Sequence, residues 1–231
     1  MYNILICDDE TDIVSALKIY LSSEDYRIFE ACDGKEAVET VLKNSIHLVL
    51  MDIMMPIKDG ITALAEIRRF SNVPVIFLTA KSEDTDKILG LNLGADDYIT
   101  KPFNPMEVCA RVKSQLRRYT RLGADTSAAS SIHIGNIDID CDSKSVCVDG
   151  VNKFLTPTEY EILLLLAQNP GKVFSSKEIY FSVWKDSPYG AQNTVAVHVR
   201  HLREKIEINP AEPRYIKVVW GLGYKIEKGN G

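Results

Sequence analysis

Nothing in this chain of 231 residues is apolar for long enough to cross a bilayer. The longest strongly apolar run, Ile162 to Ala167, falls far short of the roughly 20 residues a spanning helix needs. The opening residues, MYNILICDDE, have no basic region ahead of the apolar run, and acids follow at once. That argues against a secretory leader. Cysteine is sparse: five residues, scattered, without metal-type spacing. They read as reduced thiols in a cytosolic protein. Excess positive charge is also missing. The net charge is −5, so any nucleic-acid binding must come from a local patch. No internal repeat relates the two halves. What remains is 45% hydrophobic and 26% charged, enough for one large or two ordinary domains, each with its own core.

Residues 1–118 alternate short β-branched runs with amphipathic stretches. Strands are expected at Asn3–Cys7, Ile28–Ala31, His47–Met51, Val75–Thr79 and Asp97–Ile99. Helices are expected at Thr11–Ser22, Gly34–Asn44, Gly60–Arg69, Glu83–Leu93 and Pro105–Arg118. Five continuous apolar strands separated by helices predict a doubly wound α/β fold, with a parallel sheet covered on both faces. Right-handed crossovers place ligands at the strand C-termini. Residues 119–131 (YTRLGADTSAASS) are small, polar and aperiodic, and read as a linker. Residues 132–231 change character. Ile132–Ile139 and Ser145–Val148 alternate like half-buried antiparallel strands, with Asp149-Gly150 as a hairpin turn. Helical stretches follow at Pro157–Gln168, Ser176–Val183 and Asn193–Ile206. Short strands at Ile216–Val219 and Tyr224–Glu227 then flank Trp220-Gly221-Leu222-Gly223. This order is that of an α+β winged helix-turn-helix.

Asp8, Asp9 and Glu10 directly follow the first expected strand, and Asp52 directly follows the third. In a doubly wound sheet these strand ends meet at the topological switch point. Carboxylates crowded in one pocket repel one another, and a hard divalent cation relieves that; Mg²⁺ suits one or two carboxylates plus a phosphate. A carboxylate is also a nucleophile toward phosphoryl groups. Thr79 ends the fourth strand with a hydroxyl donor, and Lys101 adds a positive charge beyond the fifth. Together they are the equipment for phosphoryl transfer by positioning and charge neutralisation. Each residue alone fits an ordinary cap or turn; five of them at the ends of four strands do not.

The runs ILICDDE, LVLMDIMMPIKDG, VIFLTAK and GADDYITKPF resemble the receiver domain of bacterial two-component response regulators, over all of residues 1–118. The resemblance implies that Asp52 takes a phosphoryl group from a sensor histidine kinase. It implies that Asp9, Asp52 and the Met54 carbonyl bind Mg²⁺ directly and Asp8 through water, and that Thr79 and Lys101 contact the phosphoryl oxygens. It also implies a cis Lys101–Pro102 bond and a switch aromatic at Tyr98. Lys87, Asp96, Asp97, Glu107, Arg111 and Arg118 form a mixed-charge set. On composition it reads as a solvated face; by resemblance it forms the cross-subunit pairs of a phosphorylation-favoured homodimer.

From residue 123 on there are 12 Lys and Arg against 13 Asp and Glu, so the charge there is local. Asn193–Glu207 has an apolar stripe of Val195, Val199, Leu202 and Ile206. The other side is expected to carry Asn193, Thr194, His198, His201 and Lys205, with Arg200 and Arg203 flanking. Such a helix fits a major groove. LTPTEYEILLLLAQNPGKVFSSKEIYFSVW, TVAVHVRHLREKI and YIKVVWGLGYKI resemble the OmpR/PhoB-type winged-helix effector domain over about residues 132–228. The resemblance implies a recognition helix at Asn193–Ile206, with Val197 among its DNA contacts, and a wing at Val218–Tyr224. Direct-repeat half-sites about one helical turn apart are expected for a dimer. It further implies double-stranded promoter DNA and RNA polymerase as partners, no membrane, and a bacterial cytoplasmic location. This chain departs from the common pattern at Asn193, Ala196, His201 and Trp220, where many members carry Arg, Asp, Arg and Arg. Fewer cations predict a smaller salt slope for DNA binding. Trp220 either packs on the DNA backbone or anchors the wing to the domain core. An Mg²⁺-dependent phosphatase is the alternative class. It usually needs a second Asp two residues past the nucleophile, where this chain has Met54. A stand-alone DNA-binding protein with a degenerate receiver is disfavoured by the five intact site residues.

Overall fold

The computed structural model describes residues 1–22, 24–80, 94–120, 131–185 and 191–227. Its contacts divide the chain into two units, Met1–Tyr119 and Thr120–Gly231. The helix expected at Glu83–Leu93 lies outside the described residues, as does most of the expected linker. Tyr119 and Thr120, assigned to that linker, are helical, and Ser131 already begins a strand.

The first unit runs β1 (Tyr2–Cys7), α1 (Thr11–Leu21), β2 (Tyr26–Ala31), α2 (Gly34–Lys43), β3 (Leu48–Asp52), α3 (Gly60–Ile67), β4 (Val75–Ala80), β5 (Asp97–Lys101) and α4 (Pro105–Thr120). The five strands are all parallel, in the order β2-β1-β3-β4-β5. This is the expected flavodoxin-like winding. The period of two divides each strand between two cores. Ile4, Ile6, Leu48, Leu50, Ile76, Leu78 and Ile99 meet Leu17 of α1 and Val108 and Val112 of α4. Leu5, Cys7, Val49, Met51, Val75 and Phe77 meet Ala37 and Val41 of α2 and Leu64 and Ile67 of α3. Covering both faces is what makes the strands continuously apolar in sequence.

Three backbone details set the end of β3. Asp59 caps α3, its carboxylate accepting from the Thr62 amide at 2.8 Å. Gly60 then donates to the Ile53 carbonyl at 2.9 Å, so close that a Cβ there would lie 2.1 Å from the Asp52 carbonyl oxygen. Only glycine lets the helix start against the strand end. Between Ile53 and Asp59, Ile57 takes φ +64, a left-handed conformation that strains a β-branched residue. The whole turn is tied back by Gly34, whose amide donates to the Lys58 carbonyl at 3.0 Å.

The second unit has an antiparallel sheet β6-β7-β8-β9 of Ser131–Ile134, Ile137–Asp140, Val146–Val148 and Val151–Lys153. The expected single strand Ile132–Ile139 divides in two because Gly135 turns the chain at φ +57. The Asp149-Gly150 turn is present, with φ +52 and +78, as a primed hairpin requires. Helices α5 (Pro157–Ala167), α6 (Ser176–Trp184) and α7 (Ala191–Ile206) follow. Capping boxes start two of them: Thr156 with Glu159, and Ser175 with Glu178, each satisfying two otherwise orphaned amides. The hairpin β10 (Ile216–Val219) and β11 (Gly223–Ile226) closes the unit. Its second strand pairs with Phe174 through bonds of 2.8 and 2.9 Å between Phe174 and Tyr224.

Gly223 makes that pairing possible. Its φ is +142, and a Cβ there would lie 2.0 Å from the Phe174 carbonyl oxygen. Gly223→Ala is expected to destabilise the second unit by about 2–4 kcal/mol through strain and lost backbone bonds. Urea unfolding followed by the emission of the buried Trp184, in a Trp220→Phe background, measures it. An unchanged midpoint contradicts the clamp.

Candidate functional site

Cys7 of β1 and Met51 of β3 are register partners, so the next residues, Asp8 and Asp52, emerge side by side. Asp52 is the last residue of β3 rather than the first beyond it. One carboxylate oxygen each from Asp8, Asp9 and Asp52 lies within 4.8 Å of the others. Asp8 and Asp52 are buried and Asp9 is exposed. Each buried acid has one oxygen fixed by the backbone. Asp8 Oδ1 accepts from the Glu10 amide at 3.0 Å, and Asp52 Oδ1 from the Ile53 amide at 2.9 Å. The other oxygens face a single ammonium. Lys101 Nζ, at the end of β5, lies 2.8 Å from Asp8 Oδ2, 3.4 Å from Asp52 Oδ2 and 3.2 Å from Glu10 Oε1.

Burial raises the Asp52 pKa to about 6; the Asp8 charge adds to the rise and Lys101 opposes it. Burial works against the Lys101 ammonium too, but Asp8, Asp52 and Glu10 outweigh it and hold its pKa above the ordinary lysine value. An all-oxygen donor set with more negative than positive charge fits a hard divalent cation. Thr79 is buried, one residue past the Asp52↔Leu78 register pair. Tyr98 is half-buried against the core that α2 and α3 cover. Met54 is exposed, and the Lys101–Pro102 peptide is cis.

The mixed-charge set is corrected in two members, Asp96 and Asp97, which are both buried and not on a solvated face. Asp96 belongs to no surface: it is wholly buried. Its Oδ2 accepts from Arg68 at 2.9 Å and from the Val75 amide at 3.0 Å. Sequence reasoning missed Arg68, whose only signal was a position just past α3. Asp97, Arg111 and Glu107 form a chain of contacts within the subunit, at 2.9 Å for each ion pair. Lys87 and the side chain of Arg118 lie outside what is described.

The expected polar face of α7 is also corrected. Thr194, Val197, His198 and His201 are buried. The helix packs against both α5 and α6, which widens its buried side, and the His198 ring lies 5.5 Å from that of Trp184. Asn193, Ala196, Arg200 and Glu204 form the exposed face. Lys205 is paired with the buried Glu159 at 2.6 Å. Arg203 donates twice to the Ile216 carbonyl, at 3.1 and 2.7 Å, which ties the helix to the hairpin. Glu207, unmarked by any sequence signal, accepts from the amides of Arg214, Tyr215 and Ile216 at 2.6, 2.9 and 2.9 Å. Trp220 is 94% exposed, so it does not anchor the wing to the core.

A doubly wound unit with an acidic strand-end pocket, followed by a winged-helix unit, defines a receiver joined to a DNA-binding domain. Residues 4–113 match the family described as response regulator receiver domain, and residues 151–226 that described as transcriptional regulatory protein, C terminal. The chain is 43% identical over 228 residues to Regulatory protein VanR of Enterococcus faecium, covering 97% of this chain and 98% of that protein. It is 44% identical over 223 residues to the transcriptional regulatory protein YcbL of Bacillus subtilis, covering 96% and 99%. The structure of response regulator DrrB, a Thermotoga maritima OmpR/PhoB homologue, is similar at 32% identity and TM-score 0.51, covering 98% and 99%. The chain belongs to the OmpR/PhoB-type two-component response regulators, which are transcription regulators.

Asp52 titrates near 3.8 in the unfolded chain and near 6 in the folded one. Below pH 4 both states hold the proton and its contribution to stability is intact. That contribution is lost as pH rises through 6. Asp52→Asn is therefore expected to stabilise the cation-free first unit at pH 7.5 by on the order of 2 kcal/mol, with the gain vanishing toward pH 4. Urea unfolding in chelator across that range checks it. No gain at pH 7.5 contradicts a strained carboxylate.

Proposed function

We propose that Asp52 accepts a phosphoryl group from the phosphohistidine of a sensor kinase, and that the chain then dimerises and binds promoter DNA. The observation that carries this reading is the convergence of Asp8, Asp9 and Asp52 on one point with Lys101 Nζ 2.8 Å from Asp8 and 3.4 Å from Asp52. Among the described residues the backbone donates only to Asp52 Oδ1, and Oδ2 is the oxygen that attacks phosphorus. The new O–P bond forms as the N–P bond to the kinase imidazole breaks, and that nitrogen keeps the bonding pair. Asp8, Asp9, Asp52 and the Met54 carbonyl would hold an Mg²⁺ ion, which would supply neutralisation of phosphoryl charge. Lys101 is already in the pocket, and exchanging its carboxylate contacts for phosphoryl oxygens needs only a side-chain rotation. Thr79 donates its hydroxyl to the same oxygens. The half-buried Tyr98 is the element whose position reports the change. The protein is a phosphoacceptor that assists its own phosphorylation and dephosphorylation, and otherwise a regulator rather than an enzyme.

Dimerisation re-pairs Asp97, Glu107 and Arg111 across a two-fold axis with Lys87 and Arg118. DNA contact rests on the exposed Asn193 and Arg200 of α7, with the wing beside them and RNA polymerase as the further partner. A bacterial cytoplasmic location follows from this role. The family's function depends on the fold bringing these groups together, and the acids and the exposed helix face support it here.

Acetyl phosphate with Mg²⁺ is expected to give an acid-stable, base-labile acyl phosphate on the wild type and none on Asp52→Ala. Light scattering on the phosphorylated sample at micromolar concentration is expected to give twice the monomer mass. Equal labelling of Asp52→Ala moves the site elsewhere, and unchanged mass removes the dimer.

A further inference from the structure

The wing of this protein ends in an apolar tip on a rigid, cationic base. Trp220 is 94% exposed, Leu222 63% and Val218 44%. The tip turns tightly: the Leu222 amide donates to the Val219 carbonyl at 2.9 Å, and Gly221 takes φ +74. No described residue covers it. An indole so exposed gains nothing from intramolecular packing, and clustered exposed apolar side chains mark a contact surface.

The base of the hairpin is stiff. Ile216 and Ile226 are register partners and fully buried. Gly223 lies against Phe174, and Tyr224 pairs with the Phe174 backbone. Arg203 and Glu207, both from the recognition helix and the residue after it, hold Ile216 by its carbonyl and amide. Tip and helix are thus held in one fixed relation. The base also carries charge of one sign. Lys217 and Lys225 are direct cross-strand partners, an arrangement that like charges disfavour. Glu227 offsets Lys225 at 2.9 Å, while Lys217 donates to the Pro213 carbonyl and, among the described residues, is in no ion pair. With Arg214, the hairpin retains positive charge beside an apolar point.

A polyanion with an apolar interior fits that pattern. We propose that Trp220 and Leu222 form a wedge that enters the minor groove and partly unstacks a base step, so that the wing selects DNA by its deformability. This rests on the DNA-binding reading above and says how the wing reads its site. Apolar side chains inserted between base steps bend the duplex. Pyrimidine–purine steps yield most easily and A-tracts least. A wedge releases few counterions, so the wing adds affinity with little salt dependence.

The test uses the full-length protein and two duplexes of equal length and base composition within fixed flanks. One contains TpA steps and the other presents the same bases as A-tracts. The wild type is expected to favour the TpA duplex by roughly tenfold, with a change in the exposed Trp220 emission on binding. Trp220→Ala and Trp220→Arg are expected to lose the preference, and Trp220→Arg to steepen the salt slope by about one. Both variants change a solvent-exposed position, and circular dichroism confirms their fold. Equal binding of both duplexes by wild type and Trp220→Ala, with unchanged emission, overturns the wedge while leaving the DNA-binding reading standing. Absence of binding to either duplex overturns both. Unchanged preference in Trp220→Ala, together with loss of a concentration-dependent wild-type mass, assigns the tip to a second copy and overturns the wedge.

Discussion

One ammonium holds the receiver unit's functional end together. Lys101 reaches Asp8, Glu10 and Asp52 at once, in a pocket where two of those acids are buried. Without a counter-charge such a cluster could not stay ionised out of water. The sheet order imposes the crowding: β1 lies between β2 and β3, and β4 and β5 extend the sheet beyond β3. Every residue that completes the pocket therefore projects from the same edge. Lys101 fills the pocket with a positive charge, the kind of charge a divalent cation would also supply.

The same logic of shared contacts recurs in the second unit. Arg203 and Glu207 commit themselves to the hairpin, and Lys205 to Glu159. These residues make α7 and the wing one rigid reader. That leaves few free cations on the helix: Arg200 is exposed, and it shares its charge with Glu204 at 2.9 Å, an exposed pair of small net worth. Exposed apolar surface is found instead at the wing, where Trp220 and Leu222 face solvent.

The pocket was legible in the sequence because its chemistry sits at fixed positions on period-two elements. Once NILIC and HLVLM are strands, the acids behind them must meet. The hairpin turn at Asp149-Gly150 was legible for the same reason: local backbone chemistry demands those residues. The failures share one cause, which is that polarity does not report burial. Asp96 and Asp97 look alike in sequence, yet one is a core ligand of Arg68 and the other a partner of Arg111. Thr194, His198 and His201 read as a wet face because the apolar stripe on α7 was taken as narrow, whereas two packed helices require a broad one. Glu207 gave no signal, since a carboxylate that accepts three amides depends on how the chain reverses over the residues that follow it. Trp220 was open between core and surface, and only the fold decides it.

The account depends on Lys101 keeping Asp52 ionised, and carbon-13 NMR of the Asp52 carboxyl tests that directly. In the wild type without added cation its pKa is expected to be about 6. In Lys101→Met, which keeps the stem and removes the charge, it is expected to move further up, since burial and Asp8 then act unopposed. An Asp52 pKa that stays in place or falls in Lys101→Met would contradict the account.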